Sequence, residues 1–449
     1  MSSIDFLVER FQAHRHCEAI VWKHKSYTYE WLSDRIGYWE AVLGSEHVEA
    51  GTVAVLEADF SPNAVALLLA LVRANCIVVP LTKSVQEKRA EFVAVAGGML
   101  SLRLDEHDEA EIERVGEYRP NEFYDTLKKL GRPGLVLFSS GSTGKSKAAV
   151  HDFARILEKF IVPRHALRTM TFLLFDHIGG INTLFYTLSN GGCVVTAPDR
   201  TPDGVLASIQ DYKVELLPTS PTFINLILLS EAYKRYDLSS LKTVTYGTEP
   251  MPESTLKRFG ALFPAIQLLQ TYGLSEVGIL RSKSRSSDSL WVKVGGEGFE
   301  TRVVDGILHI KAKSAMLGYL NAPSPFTEDG WFITGDHVEV DGEYLRILGR
   351  NSEIINVGGE KVYPSEVESL IQEIENVAEV TVYGERNAIT GNIVCASIRL
   401  KSPEDPKRFA ENLKEFCRRK LQPFKVPVRV RVVGEKQHSE RFKKLRPAR

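Results

Sequence analysis

The segment Gly134-Leu-Val-Leu-Phe-Ser-Ser-Gly-Ser-Thr-Gly-Lys-Ser-Lys147 runs from an apolar stretch into small and hydroxyl residues and ends in lysines. Phosphate oxygens need several donors at close range, and a loop without bulky side chains lets backbone amides approach them. Ser139, Ser140, Ser142 and Thr143 offer hydroxyls, Gly141 and Gly144 leave the backbone accessible, and Lys147 adds positive charge. The chemistry implied is the binding of a phosphate chain at the end of a strand.

Two signatures compete for this loop. Ser139 to Ser146 is one residue from the Walker pattern G-x-x-x-x-G-K-S/T, with Ser139 where the glycine of the sharp turn belongs. A hydrolase of that kind releases ADP. The same residues resemble the phosphate loop of the AMP-forming adenylating enzymes, the superfamily of acyl- and aryl-CoA synthetases, luciferases and nonribosomal peptide adenylation domains. That loop has the form S/T-S-G-S/T-T-G-x-P-K-G. Ser139 to Gly144 and Lys147 match it, while Ser146 replaces the proline and Ala148 the following glycine.

Three further segments carry the resemblance in the same order. Gln270-Thr-Tyr-Gly-Leu-Ser-Glu276 is similar to the family's YGxTE. Gly330-Trp-Phe-Ile-Thr-Gly-Asp336 is similar to GWxxTGD, and Gly349-Arg350 with Gly358-Gly-Glu-Lys-Val-Tyr-Pro-Ser-Glu-Val-Glu368 to GRxxDxI and GGExIxPxEVE. Tyr27-Thr-Tyr-Glu-Trp-Leu32 and Tyr246-Gly-Thr-Glu-Pro250 are fainter echoes. The resemblance implies ATP-binding by Ser139 to Gly144, Lys147, Gly247, Thr248, Glu249, Thr271, Tyr272, Gly273, Asp336 and Arg350. Tyr272 would stack on adenine, Ser275 would contact the α-phosphate or the substrate carboxylate, and Glu276 would hold magnesium, which prefers carboxylate oxygen and bridges phosphates. Asp336 would take both ribose hydroxyls, and the planar fork of Arg350 would bond ribose and phosphate.

The activity so implied is ATP-dependent activation of a carboxylic acid to an acyl-adenylate, with transfer to coenzyme A. The alternatives are a stand-alone enzyme loading the phosphopantetheine of an acyl carrier protein, and a catalytically weakened relative. The smaller lobe of the family swings about a hinge, here Ser352, and Gly358 and Gly359 would let the pantetheine arm pass close to the backbone. The family ends with T/S-x-S/T-G-K-I/V-x-R, whose lysine bridges carboxylate and phosphate. Aligned on His438-Ser-Glu-Arg-Phe-Lys-Lys444, Arg441 takes the place of that lysine, with Lys443 or Lys444 as substitutes after a local shift. Ser275, Glu276, Arg441 and Lys443 are therefore the expected catalytic residues. Leu174-Phe-Asp-His-Ile-Gly-Gly180 corresponds to the wall of the acid pocket. It nominates His177 as a substrate contact or a hydrogen-bonded core histidine, and Asp176 as a partner for a substrate amine. An acid without an amine is preferred.

The elements that must position these residues follow from hydrophobic period. Thr52-Val-Ala-Val-Leu56, a helix from about Pro62, and Ile77-Val-Val79 alternate strand and helix, which argues for parallel sheets covered by helices. Asp105 to Glu117 is charged and reads as a surface connection. From about Glu300 the texture changes to hairpins around Asp305-Gly306 and Asp341-Gly-Glu343. After Gly349-Arg350 the chain reads as an α+β unit. Ser365 to Glu368 is read as a capping box opening a helix, followed by strands at Val377–Tyr383 and Ile393–Leu400. A helix then buries Phe409, Leu413, Phe416 and Cys417, and a last strand spans Val428 to Val433. The expected architecture is α/β: a large N-terminal α/β domain of the acyl-CoA synthetase type, residues 1–349, and a small mobile α+β C-terminal domain, residues 350–449.

Bulk properties bound the rest. A chain of 449 residues is too long for one ordinary core. Hydrophobic residues at 43% and charged residues at 25% exclude a mostly disordered protein. Five isolated cysteines lack disulfide or metal spacing and fit a reducing cytoplasm without structural zinc. The N-terminus lacks the shape of a signal peptide, and the apolar stretch from Ala64 to Leu81 is broken by Arg73 and Asn75, so no membrane span is expected. Residues 401–449 hold 16 Lys and Arg against 6 Asp and Glu in a chain of net charge -1. That surface suits an anionic partner such as coenzyme A or an acidic carrier, or is simply solvated. No nucleic-acid motif accompanies it.

Overall fold

Val53–Glu57 and Ile77–Leu81 are buried along their whole length, as strands covered on both faces must be. Between them the helix Pro62–Arg73 starts at the cap residue Ser61, whose hydroxyl accepts from the Ala64 amide, with proline at the first turn. The two strands then pair in parallel, Val53 beside Ile77 through Glu57 beside Leu81. The alternation expected from sequence is thus realised as a strand-helix-strand crossover. The structure, a computed structural model, describes residues 3–140 and 145–446.

This crossover sits in the middle of a seven-stranded sheet that also holds Gly134–Ser140 and, antiparallel to it, Ser146–Asp152. Within the charged segment 105–117, residues 110–114 depart from expectation. Ala110–Arg114 pairs antiparallel with Leu100–Leu104 as the edge strand. Its charges are the outward side of an edge, where they also discourage pairing with another chain. Asp108 is buried in the same connection, accepting from the Asn63 amide at 2.8 Å and from the Ser61 hydroxyl, and so braces the start of the buried helix.

A second seven-stranded sheet is parallel from Gln267–Gln270 through Thr243–Tyr246, Leu216–Thr219, Arg168–Met170 and Cys193–Val195 to Glu18–Trp22, with Lys25–Thr28 antiparallel at its edge. Three of these strands end side by side at Thr219, Tyr246 and Gln270. Ligands of open α/β sheets bind outside such carboxyl ends, because loops there can converge without competing for ladder hydrogen bonds. The hairpins expected beyond residue 300 belong to a six-stranded antiparallel sheet. In it Phe299–Val304 pairs with Ile307–Ala312, and Phe332–Asp341 with Tyr344–Arg350. Asp305 and Gly306 both have positive φ, the conformation a two-residue hairpin loop requires.

Beyond Arg350, strands Ile355–Val357, Glu360–Val362, Val377–Asn387, Gly391–Leu400 and Arg429–Val432 form a sheet with helices Pro364–Ile371 and Pro406–Arg418. Their apolar side chains make a separate cluster, from Ile355 to Val426 among its buried members. The capping box does not form. The helix begins two residues earlier than a Ser365 cap would start it, with Pro364 in its first turn, and the Ser365 hydroxyl donates to the Leu348 carbonyl at 2.6 Å. Glu368 instead lies buried, accepting from the Val382 amide at 2.8 Å and paired with Lys444 and Arg446. No helix among the described residues is long and apolar enough to cross a membrane.

Glu379 ties the C-terminal tail to this sheet. Burial raises its pKa, but hydrogen bonds from His438, the Gln437 amide and Arg399 outweigh that and bring it down to about 2. A depressed carboxylate pKa stabilises the fold above the unfolded value and ceases to do so as pH falls through the folded one. The contribution is on the order of 3 kcal/mol. Denaturant unfolding of this unit should therefore lose stability between about pH 4.5 and 2. Glu379→Gln should be less stable near neutrality and show a flatter acid limb.

Candidate active site

At the carboxyl ends of the parallel strands, and roofed by the C-terminal tail, lies a cavity of about 1240 Å³. Tyr272 and Asp336 are both buried there, and the phenol donates to the Asp336 carboxylate at 2.6 Å. The Arg350 Nε donates to the other carboxylate oxygen at 3.2 Å. Asp336 is held in turn by its own amide donating to the Thr334 hydroxyl, which itself donates to the Leu308 carbonyl at 2.7 Å. Burial raises the Asp336 pKa, with Arg350 and Tyr272 opposing the rise. A carboxylate already fixed on two partners presents its free lone pairs in a defined direction, which suits a pair of vicinal hydroxyls.

Ser275 and Glu276 line the same cavity. Glu276 accepts from the Tyr319 hydroxyl at 2.7 Å, and the Lys147 ammonium lies 5.2 Å from the centre of the Tyr319 ring. Tyr319 therefore couples the lysine of the phosphate segment to the carboxylate, a link for which the sequence carried no signal. Among the described residues no cluster of three or more metal-ligating side chains exists. Glu276 alone still fits magnesium, which keeps several waters and takes further oxygens from a bound phosphate chain. Ser139 lines the cavity, and Ser139 and Lys147 face each other across paired strands. Ser140 ends the first of these strands. Gly141, Ser142, Thr143 and Gly144 lie outside the described residues.

Gly247, Thr248, Glu249, Thr271 and Gly273 also line the cavity. A side chain at Gly247 would meet the Thr271 hydroxyl at 2.7 Å and its carbonyl at 2.9 Å, so only glycine lets these two strand ends converge. Thr248 follows with φ of 73°, a left-handed conformation that a β-branched residue adopts only under constraint. Glu249 holds the amide and hydroxyl of Thr222 and accepts from the Lys444 amide at 3.3 Å.

The tail decides which cation enters the cavity. Arg441 donates to Asp176 at 2.7 Å, and Asp176 is buried away from the cavity, also accepting from the Thr82 hydroxyl at 3.0 Å. Asp176 is thus not an acid-pocket residue; its carboxylate anchors the tail. Phe442 follows with φ of 51° and its ring 5.0 Å from Phe172 and 5.1 Å from Phe223. Lys443 then turns into the cavity. Burial, with Arg350 beside it, lowers its pKa to about 8. Lys444 and Arg446 return to Glu368 at 2.6 and 3.0 Å.

The geometry corrects the alignment of the tail by two residues. With Phe442 at the position of the family's glycine, the left-handed φ is accounted for, Lys443 falls on the lysine and Arg446 on the final arginine. That arginine was the signal available in the sequence, and anchoring on it would have found the register. His177 caps the helix Ile178–Ser189, its Nδ1 accepting from the Gly179 amide at 3.1 Å, and its ring faces the cavity. Burial, with Lys443 and Arg441 nearby, holds its pKa well below the ordinary value, so it is neutral with the proton on Nε2. Ser352 lies in the exposed turn Asn351–Glu353. Gly358 and Gly359 form an exposed hairpin turn outside the cavity.

Comparison with known proteins places the chain in a family. The family described as AMP-binding enzyme matches residues 7–320, and the AMP-binding enzyme C-terminal domain matches residues 366–443. An indoleacetate–CoA ligase of Aromatoleum aromaticum is 29% identical over 317 residues, covering 65% of this chain and 61% of that protein. A 2-succinylbenzoate–CoA ligase of Bacillus licheniformis is 30% identical over 321 residues, covering 65% and 64%. The chain thus spans less than two thirds of the length of these curated relatives. Among solved structures, the anthranilate CoA ligase AuaEII with anthranoyl-AMP superposes with a TM-score of 0.83 at 20% identity, covering 99% of this chain and 95% of that one. The amide bond synthetase McbA from Marinactinospora thermotolerans superposes with a TM-score of 0.77 at 22% identity, covering 98% and 97%. At these identities the likeness establishes the fold.

Phe442 tests the balance that seats the tail. Glycine would relieve a left-handed backbone costing about 1–2 kcal/mol but remove aromatic burial worth about 1.5–3 kcal/mol. Packing wins narrowly, so Phe442→Gly should loosen the tail by about 1 kcal/mol, read as a several-fold rise in its rate of proteolytic clipping. A slower rate would show that strain outweighs packing.

Proposed function

Because the chain belongs to the AMP-binding enzyme family, we propose that it activates a carboxylic acid with ATP and passes the acyl group to coenzyme A. The observation that carries this reading is the convergence of Lys443, Arg350, Glu276, Ser275 and Asp336 on one cavity beside a phosphate-type segment. An acid carboxylate must attack the α-phosphorus of ATP as the bond to pyrophosphate breaks, and two anions have to approach each other. Unit charges 4 Å apart interact by about 4 kcal/mol at an effective dielectric near 20, so one well-placed cation offsets much of that repulsion. Lys443 has the reach and the charge for this role, as charge builds on the phosphoryl oxygens.

The remaining residues take positioning roles. Asp336 and Arg350 hold the ribose, Tyr272 stacks on the base, and Ser139 with Lys147 receives the departing pyrophosphate. Ser275 and the Nε2 proton of His177 orient the carboxylate. Glu276 would hold magnesium, which supplies charge neutralisation on the phosphate chain when bound. In the second half-reaction a thiolate attacks the acyl carbon and AMP leaves with the bonding electrons. Gly358 and Gly359 are exposed and outside the cavity, so rotation about Ser352 is needed before they line a thiol path. The related CoA ligases favour coenzyme A as acceptor. The basic residues of the C-terminal end also suit an acidic carrier protein as a second reading.

The test is pyrophosphate release and acid-dependent pyrophosphate exchange over aliphatic, aryl and amino acids, with free coenzyme A or a phosphopantetheinylated carrier as acceptor. Acid-dependent exchange followed by thiol-dependent AMP release is expected; ADP as the product would reject the reading. Lys443→Ala should slow adenylation by roughly 10²–10³-fold. Arg441→Ala should cost less, because that guanidinium is engaged by Asp176; the reverse ranking would return the catalytic role to Arg441. With a Lys443 pKa of about 8, the protonated and active form is lost as pH rises through that value. The kcat/KM for adenylation should therefore fall on the alkaline side near pH 8, and Lys443→Arg should remove that limb.

A further inference from the structure

The cavity continues past His177 between the helix Ile178–Ser189 and the face of the second parallel sheet. Asn182, Tyr186 and Asn190 mark successive turns of one side of the helix, and alternate strand residues such as Pro218 and Leu216 form the opposing wall. Lys159 enters this channel from the side. Its ammonium donates to the Asn182 side-chain carbonyl and to the Ile279 carbonyl at 3.0 Å, which leaves one of its three donors free. Arg164, near Tyr186 and Asn190, and Arg281 are its charged neighbours.

The charges here do not balance. Several other cations that line the cavity have carboxylate partners: Arg350 has Asp336, Arg441 has Asp176, and Lys444 and Arg446 have Glu368. Among the described residues none of Lys159, Arg164 and Arg281 makes an ion pair with a carboxylate. Burial and the two arginines lower the Lys159 pKa to about 7, the response of an amine denied a counter-ion. A purely apolar acid tail would leave this cluster desolvated and unpaired, which costs several kcal/mol. An anion supplied by the substrate would remove that cost.

We propose that the acid this chain activates carries a second carboxylate at its far end, received by Lys159 with Arg164 and Arg281 flanking it. This rests on the ligase reading above. Asn182 lies five residues beyond the His177 cap, about 7.5 Å along the helix, so the two carboxylates are separated by a chain or ring of medium length. The channel thereby selects a diacid, with one carboxylate at the nucleotide and the other at Lys159.

The experiment offers aliphatic and aryl diacids, including adipate, pimelate, suberate and terephthalate, each beside its monomethyl ester, which keeps the length and removes one charge. Acid-dependent pyrophosphate exchange is measured for the wild type, Lys159→Met and Lys159→Arg. The wild type should favour diacid over ester by roughly a hundredfold in kcat/KM, mostly through KM. Lys159→Met should bring that ratio toward unity and Lys159→Arg should keep most of it. Each ratio is taken within one variant, so a partly unfolded preparation does not distort it. Exchange that favours the esters, or a ratio unchanged in Lys159→Met, overturns the diacid assignment and leaves the ligase reading intact. If no acid of either kind supports exchange, both fall.

Discussion

One ammonium group, on Lys443, has to be kept inside a cavity where, among the described residues, no carboxylate forms an ion pair with it. Burying a lone cation is unfavourable, and the chain resists that by fixing the residues on either side. Arg441 is bound to Asp176 and the Phe442 ring is wedged between Phe172 and Phe223. Lys444 and Arg446 close on the buried Glu368. The backbone between these anchors has little choice but to turn Lys443 inward, where burial and the neighbouring Arg350 lower its pKa.

The same logic runs through the rest of the cavity. Asp336 is engaged by Tyr272 and Arg350, Glu276 by Tyr319, and Glu249 by Thr222. Among the described residues neither Lys443 beneath the tail nor Lys159 along the channel makes an ion pair with a carboxylate. Groups held in place before the ligand arrives need no reorganisation as charge develops. The tail spans both lobes, so closing the roof and delivering the cation are one event. Under the proposed function, a rotation that removed the tail would also remove Lys443 and so separate the conditions for adenylation from those for thiol attack.

Much of the architecture was legible because period and punctuation reflect burial directly. The crossover at residues 53–81 and the hairpins at Asp305-Gly306 and Asp341-Gly342 follow from fully covered strands and from turns that need positive φ. The exceptions have physical causes. Residues 110–114, in the middle of the charged segment, are charged because an edge strand faces water, while the residues on either side of them form the connections. Ser365 and Glu368 have the spacing of a capping box. Glu368 is nevertheless taken by two cations about eighty residues away, and a buried ion pair outweighs a local cap worth about 1 kcal/mol.

The sequence by itself picked out Tyr272, Ser275, Glu276, Asp336 and Arg350, which the fold brings to one cavity, because glycine-rich turns and a fixed carboxylate impose residue types at set spacings. It also determined the strand-helix alternation that brings those segments to one end of a sheet. Only the tertiary structure decided which tail cation enters the cavity, that Asp176 anchors that tail, that Tyr319 supports Glu276, and that Lys159 has no carboxylate partner among the described residues. Each of these is a pairing between residues far apart in the chain. A side chain's partner is set by where the backbone delivers it, and no local spacing encodes that.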